Sequence, residues 1–356
     1  MITKNADELK NCNIIKTLMM FSVVLYHSMA LWNKNTWLIP PKEENIVLMT
    51  VALFLNNLHI YVFTFVSGYL FYYLKFDIHR YKKFSADLKK RSQRLLIPYI
   101  SGALFWCVWF SLWLDNSSVI DLLKKYALGI NPSQLWFLLM LFVVFVIFYV
   151  LSEVFNKLNF FWGFAICMVF FALSYVSARF IPNVYQHQTA MKYIVFYYLG
   201  FCFRRNEKLF LRKIPIFVLI VLETILFSAY ILSDWYFDLH GFKTPMLIVI
   251  GFLLHITGCV LVFNAFNHLR VKFEKGINRI ENNLVFKWFS ENSMLIYIFH
   301  QQIIFVVDIN LNGLLHPVII VLINIIAAIT FSGVLATLLT KWKITRFLFT
   351  GIYKKG

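Results

Sequence analysis

The chain has 356 residues, of which 60% are hydrophobic and only 14% are charged. This composition excludes an ordinary soluble domain and favours a protein whose surface faces lipid. The net charge of +17 would suit a nucleic-acid-binding protein, but the basic residues are concentrated in loops between apolar segments. No nucleic-acid partner is therefore expected, and membrane lipid is the expected surroundings.

Apolar segments long enough to cross a bilayer occur at about ten places, and the sixth of them is short. They lie near residues 12–33, 47–74, 95–114, 134–151, 160–180, 189–203, 214–232, 245–264, 292–309 and 316–340. The first segment carries Lys16 and His27 and lacks a small-residue cleavage site, so it is not a removable signal peptide. The pattern predicts an all-α, polytopic membrane protein that forms a single domain over residues 1–356, with no separate soluble domain.

The basic residues predict the orientation of the chain. Of the 34 lysines and arginines, 27 fall in six segments that alternate with the others along the chain, namely 1–16, 75–94, 152–159, 204–213, 265–291 and the tail. By the positive-inside rule these segments are cytoplasmic, and so are both termini. Residues 33–46 and 115–133 are then external loops, the second with a short interfacial helix from Val119 to Leu128. A multi-pass protein of the cell membrane, in a bacterium the plasma membrane, is expected.

Several common sites are missing from the sequence. The five cysteines are isolated and show no zinc-ligand spacing, so no metal is expected. There is no phosphate-binding glycine loop, no dinucleotide fingerprint and no nucleophile elbow. No internal repeat is visible either, which weakens the transporter designs that are built from repeats.

Lys16 and His27 lie eleven positions apart in the first apolar segment. On an α-helix this spacing brings both side chains to within about 20° of one face, separated by roughly 16 Å along the axis. The ammonium group of Lys16, near one membrane surface, therefore lies on the same helix face as the imidazole of His27, deep in the opposite half of the membrane. The alternative is a snorkelling lysine and a histidine that packs against neighbouring helices.

Arg91 and Arg94 close the most basic loop of the chain, residues 75–94. Because they are three positions apart, they are neighbours on a helix that leads into the third apolar segment. Two guanidinium groups in this arrangement suit a phosphate site better than ammonium groups do. The alternative is a solvated loop that faces lipid headgroups.

Other ionisable residues lie inside the apolar segments. Glu223 is near the middle of the seventh, and a buried carboxylate is costly enough to be a functional candidate. His59, His255 and His300 have depths comparable to that of His27. Each alone is easily structural, but four histidines at one depth indicate the lining of a polar cavity.

Five short motifs occur in one order along nearly the whole chain. They are Lys16-x10-His27, Phe63-x3-Ser67-Gly68-Tyr69, Arg91-x2-Arg94-Leu-Leu-Ile-Pro-Tyr, Leu135-Trp136-Phe137-Leu138 and Glu291-Asn-Ser-x2-Ile-Tyr297-x2-His300-Gln301. This order resembles the integral-membrane family 3 acyltransferases, which O-acylate cell-surface polysaccharides and related glycans. The chain departs from the family in having lysine where the first motif usually has arginine. No esterase-like extracytoplasmic domain of the kind carried by longer relatives is expected.

The resemblance implies an acyl-CoA donor, most simply acetyl-CoA, and a polysaccharide or lipid-linked glycan as acceptor. It implies that Lys16, Arg91 and Arg94, with Ser67, bind the coenzyme. His27 would be the general base, or alternatively the nucleophile of an acyl-imidazole route. The further catalytic candidates are Glu223 as orienter of the imidazole, Tyr297 and Trp136 as oxyanion donors, and His300 in the cavity wall.

Two other classes of protein remain open at this point. A transporter or flippase for a glycan or lipid would also use a polar intramembrane cavity, and a sensor or assembly protein is the third class. The paired arginines beside the cation of the first helix favour the acyltransferase, because a flippase for a neutral glycan has no need of them. The acyl group itself, acetyl or succinyl, also remains open.

Overall fold

The computed structural model describes residues 2–33, 39–114, 117–235 and 243–353. Within these ranges the regular structure is helical, with no β-strand, which confirms the all-α prediction. The first eight α-helices are α1 Ile2–Met29, α2 Ile46–Asn56, α3 His59–Tyr72, α4 Phe84–Gly102, α5 Val108–Leu114, α6 Val119–Leu122, α7 Trp136–Lys157 and α8 Phe160–Ser177. The others are α9 His187–Arg205, α10 Ile216–Trp235, α11 Lys243–Lys272, α12 Glu274–Asn282, α13 Leu284–Leu311, α14 Pro317–Leu339 and α15 Lys343–Thr350.

Nine helical segments of the described chain are long and apolar enough to cross a membrane. They are Leu9–Trp32, Ile46–Asp77, Phe84–Leu114, Ser133–Lys157, Phe160–Ser177, Ile216–Asp234, Thr244–Lys272, Leu284–Leu311 and Pro317–Leu339. These segments match nine of the ten that the sequence predicts, and they confirm a polytopic membrane protein. The remaining predicted segment, residues 189–203, corresponds to α9.

Helix α9 connects the two faces of the bundle although it is not among the nine apolar segments. Just before it begins, Gln186 Nε2 donates to the carbonyl of Gly129, and at its end Arg204 Nε lies 2.6 Å from Asp77 Oδ2. Every residue from 193 to 203 is buried, so the helix is shielded from lipid by other helices and needs less hydropathy to cross. With α9 included, the number of crossings is even, and both ends of the chain lie at the same face.

The segments rich in basic residues meet at this face, which we call the basic face. Lys75 Nζ lies 3.1 Å from Glu153 Oε1, which joins two of these segments. In α1, Asn11 Nδ2 donates to Asn267 Oδ1 at 3.1 Å, near the end of α11. Gly351, directly after α15, packs on α4. The basic segments therefore share one side of the molecule, and their assignment to the cytoplasm stays a prediction.

Glycines set the distance between α3 and α9. A Cβ added at Gly68 would collide with the carbonyl of Tyr197, and one added at Gly200 would collide with the carbonyl of Phe65. Small residues at both positions let the two backbones touch, as is common between membrane helices. Gly68 thus has a packing role, and this contact fixes the position of α3, which carries His59 and Ser67.

Local irregularities lie at helix ends and near the cavities. The backbone forms π-helical turns at Tyr73–Asp77, Ala103–Cys107 and Leu123–Ala127. The last of these extends α6, so the predicted interfacial helix is present through Ala127. In the predicted external loops, residues 34–38 and 115–116 lie outside the described residues, as do residues 354–356 of the predicted cytoplasmic tail.

Candidate active site

Two cavities of about 440 Å³ each enter the bundle from opposite faces. The basic cavity opens at the basic face and is lined by residues that include Lys16, Ser67, Arg80, Lys90, Arg91 and Arg94. The histidine cavity opens toward the other face and is lined by residues that include His27, His59, Trp136, Lys192 and His255. Val23, Ile60 and Tyr297 line both cavities, so the two meet inside the protein.

His27 and His300 form a hydrogen-bonded pair beside this meeting point. His27 Nδ1 lies 2.7 Å from His300 Nε2, and His300 Nδ1 lies 2.8 Å from the carbonyl oxygen of Tyr297. A carbonyl oxygen only accepts, so His300 Nδ1 carries its hydrogen and, in the neutral ring, Nε2 is the acceptor. His27 Nδ1 must then be the donor, which places the lone pair of His27 on Nε2.

The network of hydrogen bonds therefore selects one tautomer of His27. The fully buried His300 fixes the orientation of the His27 ring and the position of its proton. One nitrogen of His27 is held by a hydrogen bond and the other carries the lone pair, which is the geometry that a general base requires. The sequence predicts both residues as site candidates, and the structure shows that they touch.

The other two histidines line the same cavity with different partners. His59 Nδ1 donates to the carbonyl of Leu55, and its ring centroid lies 5.4 Å from that of Tyr26, which also neighbours His27. His255 Nε2 donates to Asn57 Oδ1 at 2.9 Å. Three of the four histidines that the sequence places at one depth therefore line the cavity, and the fourth, His300, lies behind His27 and is hydrogen-bonded to it.

The basic cavity collects cations. Five of its lining side chains are lysine or arginine, and Asp87 is the one carboxylate among the described lining residues. The Asp87 carboxylate accepts a hydrogen bond from the Tyr149 hydroxyl at 3.0 Å. Like charges that line one small cavity repel each other, and a bound anion would relieve this repulsion.

Arg91 gives this cavity a specific feature that fits a phosphate. Its Nε is buried and has no hydrogen-bond partner in the described protein, and its guanidinium carbon lies 5.1 Å from the Phe145 ring centroid. Lys16 Nζ lies 5.5 Å from the Phe63 ring centroid. Aromatic rings therefore support two of the cations, and a buried donor is left for a ligand.

Tyr81 adds a neutral donor to the basic cavity. It lies between the second and third membrane segments, and burial raises the pKa of its hydroxyl above the usual value. The hydroxyl therefore stays protonated near neutral pH and can donate a hydrogen bond to a phosphate oxygen.

Tyr297, predicted as a catalytic candidate, lies in the wall shared by the two cavities. Its hydroxyl donates to the carbonyl of Gln134, so its single hydrogen is already engaged, while its own carbonyl accepts from His300. Gln134 Nε2 also donates to Gln302 Oε1 at 2.7 Å. These bonds join the start of α7 to α13 and hold the shared wall of the cavities in place.

Glu223 and Ser67, two other predicted site residues, lie away from the histidine pair. Glu223 is buried on α10, near Gly258 of α11, and is not among the residues that line either cavity. The structure therefore does not bring it to the histidine pair. Ser67 lines the basic cavity, but its hydroxyl donates to the carbonyl of Phe63 in its own helix.

A buried carboxylate that the sequence reasoning missed supports the histidine pair. Asn324 Nδ2 on α14 donates to Asp308 Oδ1 at 2.8 Å and to the carbonyl of Ser28 at 3.2 Å, and Asp308 is fully buried. Ser28 follows His27, so this network anchors the end of α1 that carries His27. The signal was available, because Asp308 is an acidic residue inside an apolar segment, as Glu223 is.

Fold and site together define a helical membrane protein in which a cation-lined cavity and a histidine-lined cavity meet inside the bundle. The family model described as an acyltransferase domain, of acyltransferase family 3, matches residues 9–340. The chain therefore belongs to this family, which confirms the resemblance in the sequence and supports an acyltransferase activity. Comparisons with curated proteins and with solved structures gave no match.

Proposed function

We propose that the protein is an O-acyltransferase. It transfers an acyl group, most simply acetyl, from cytoplasmic acyl-CoA to a hydroxyl of a cell-surface or lipid-linked polysaccharide. The observation that carries this proposal is the pair of cavities with a shared wall, cationic toward one face and histidine-lined toward the other. A donor and an acceptor on opposite sides of a membrane need such an arrangement in order to react.

The basic cavity supports the donor half of the proposal. Lys16, Arg91 and Arg94 would hold the phosphates of the coenzyme, since guanidinium groups bind phosphate oxygens in pairs and the Arg91 Nε donor is available. When bound, acyl-CoA supplies the activated acyl group as a thioester. Lysine at position 16 makes a single-point contact in place of a fork, so Arg91 and Arg94 carry most of the phosphate affinity.

The histidine cavity supports the acceptor half. His27 Nε2 takes the proton from the sugar hydroxyl as its oxygen attacks the thioester carbon, and the C–S bond then breaks as the leaving sulfur takes this proton from His27 and departs as the thiol. His300 holds the His27 ring through the 2.7 Å hydrogen bond and stabilises the charge that develops on it. An acyl-imidazole route would use the same nitrogen as nucleophile. Of the two oxyanion-donor candidates, Trp136 is favoured, because the Tyr297 hydroxyl already donates to Gln134.

Mass spectrometry of surface glycan tests this proposal. Glycan from a deletion strain should lack an ester group that reappears when the gene is restored, and the mass gain identifies the group as acetyl or succinyl. Restoring the gene with His27→Gln should leave the glycan unesterified while the protein is present in the membrane. Glycan that reaches the surface less efficiently but with unchanged ester content would instead identify a transporter and contradict the proposal.

A further inference from the structure

The histidine cavity has a wall of aromatic side chains and one ammonium group. Tyr61 stacks on Tyr193 with a 4.8 Å separation of ring centroids, and Tyr175, Tyr230 and Trp136 are among the other aromatic lining residues. Aromatic faces and nearby hydroxyl groups suit a sugar ring, which is apolar on its faces and polar at its edge. The ammonium group belongs to Lys192, the one lysine or arginine among the described lining residues.

Lys192 is a cation whose surroundings are incomplete. Its Nζ lies 5.6 Å from the Tyr175 ring centroid, and it forms no ion pair among the described residues. None of the described residues that line this cavity is an aspartate or glutamate. A half-buried ammonium group in a cavity whose described lining has no carboxylate is a site for an anion.

The position of Lys192 relative to the histidine pair gives this anion a role. Lys192 lies five residues into α9, about 8 Å from the end of that helix at the outer mouth of the cavity. His300 lies eleven residues before the end of α13 at the same face, which places it about 16 Å deep. An acceptor held at Lys192 by its charge would extend inward along the aromatic wall and present a hydroxyl to His27.

We propose that the histidine cavity takes an anionic sugar, with Lys192 binding its carboxylate or phosphate group. This inference rests on the proposed acyl transfer and specifies its acceptor class. A lysine suits either anion, because an ammonium group is a compact point charge without the forked geometry of arginine. The carboxylate would come from a uronic acid, and the phosphate from a sugar phosphate such as that of a lipid-linked glycan.

Calorimetric titration of the purified full-length protein with three sugars tests the site directly. The probes are glucose, glucuronate and glucose 1-phosphate, which are neutral, carboxylated and phosphorylated. At least one anionic sugar should bind about tenfold more tightly than glucose, the size of one charge-assisted contact. A preference for glucuronate alone assigns a uronic acid, and a preference for glucose 1-phosphate alone assigns a sugar phosphate.

Three variants sharpen the test. Lys192→Gln should reduce the affinity for the anionic sugar to that of glucose, whereas Lys192→Arg should keep most of the preference. Lys42→Gln is the matched control, since Lys42 is exposed at the same face outside the cavity. It should leave the affinities for all three sugars unchanged. Equal affinity for all three sugars in the unmodified protein, including no measurable binding of any, overturns the proposal. A preference for an anionic sugar that is retained in Lys192→Gln also overturns the proposal.

Radiolabelled acetyl-CoA, added to the same preparations, separates this inference from the proposed function. A preference for anionic sugars that depends on Lys192, without any acetyl-CoA binding or transfer, would support the anion site and refute the proposed acyltransferase activity. Transfer to neutral and anionic sugars with the same KM would support the acyltransferase activity and refute an anion site at Lys192.

Discussion

The two cavities differ in what their walls contain, and the difference separates binding from chemistry. Among the described lining residues, the basic cavity has five lysine or arginine side chains and one carboxylate, whereas the histidine cavity has three histidines, a wall of aromatic rings and Lys192. The first can hold several negative charges but has, among its described lining residues, no imidazole nitrogen positioned by a hydrogen-bonded partner. The second has such a nitrogen on His27. Damage to one cavity should therefore impair coenzyme binding, and damage to the other should impair the reaction.

The strongest way to test this division is at His27. His27→Gln keeps a polar side chain of similar size but cannot exchange a proton near neutral pH, so the transfer rate should fall by roughly 10²–10⁴. Acetyl-CoA affinity should stay within about twofold of the original, because the phosphate contacts lie in the other cavity. The measurement is acyl transfer per folded molecule together with equilibrium binding of acetyl-CoA. Near-normal transfer would make His27 a packing residue and would direct the search for the base to His59 or His255.

At the other cavity, Arg91→Ala should weaken acetyl-CoA binding by about ten- to hundredfold, since one charge-assisted contact is lost. The transfer rate at saturating acetyl-CoA should change much less. Arg279→Ala is a matched control, because Arg279 is exposed in α12 at the basic face and lines neither cavity. If the two variants bind acetyl-CoA equally well, the phosphate site is not at Arg91.

A smaller effect is expected at Gly351, where the chain after α15 packs on the backbone of Gln93 and Arg94 and lines the basic cavity. Its φ is +69°, and an added Cβ would collide with the Gln93 carbonyl. Gly351→Ala should displace this segment and weaken acetyl-CoA binding by about fivefold, the effect of roughly 1 kcal/mol. Gly276→Ala, where an added Cβ meets nothing within 4 Å, should have no effect on binding. Equal affinities in both glycine variants would exclude Gly351 from the cavity wall.

Much of this organisation follows from local patterns in the sequence. Hydropathy located nine of the membrane segments, and helical spacing correctly placed Lys16 toward one cavity and His27 in the other. The basic loop also pointed to Arg91 and Arg94, and both line the basic cavity. These features depend on composition and on the 3.6-residue period, which are encoded over short stretches.

The contacts between distant segments could not be predicted in this way. His27 and His300 are 273 positions apart. The periodicity within one helix does not show how that helix is oriented relative to another. Judged only by depth in the membrane, Glu223 and His300 were equally good candidates for the catalytic site. The rotation of α10, however, points Glu223 toward α11 and away from the histidine pair. Helix α9, the short sixth segment, shows the same limit, because packing against α3 and α8, rather than its own hydropathy, buries it.

The central claim is that donor and acceptor reach His27 from opposite faces, and vesicles of known orientation test it most directly. An introduced cysteine, Lys82→Cys, marks the basic face for an impermeant thiol reagent, and all five native cysteines are buried. We predict that acetyl-CoA supports transfer to glycan on the far side only when it is added at the face where position 82 is labelled. Transfer from the unlabelled face, or equal transfer from both, would contradict the account.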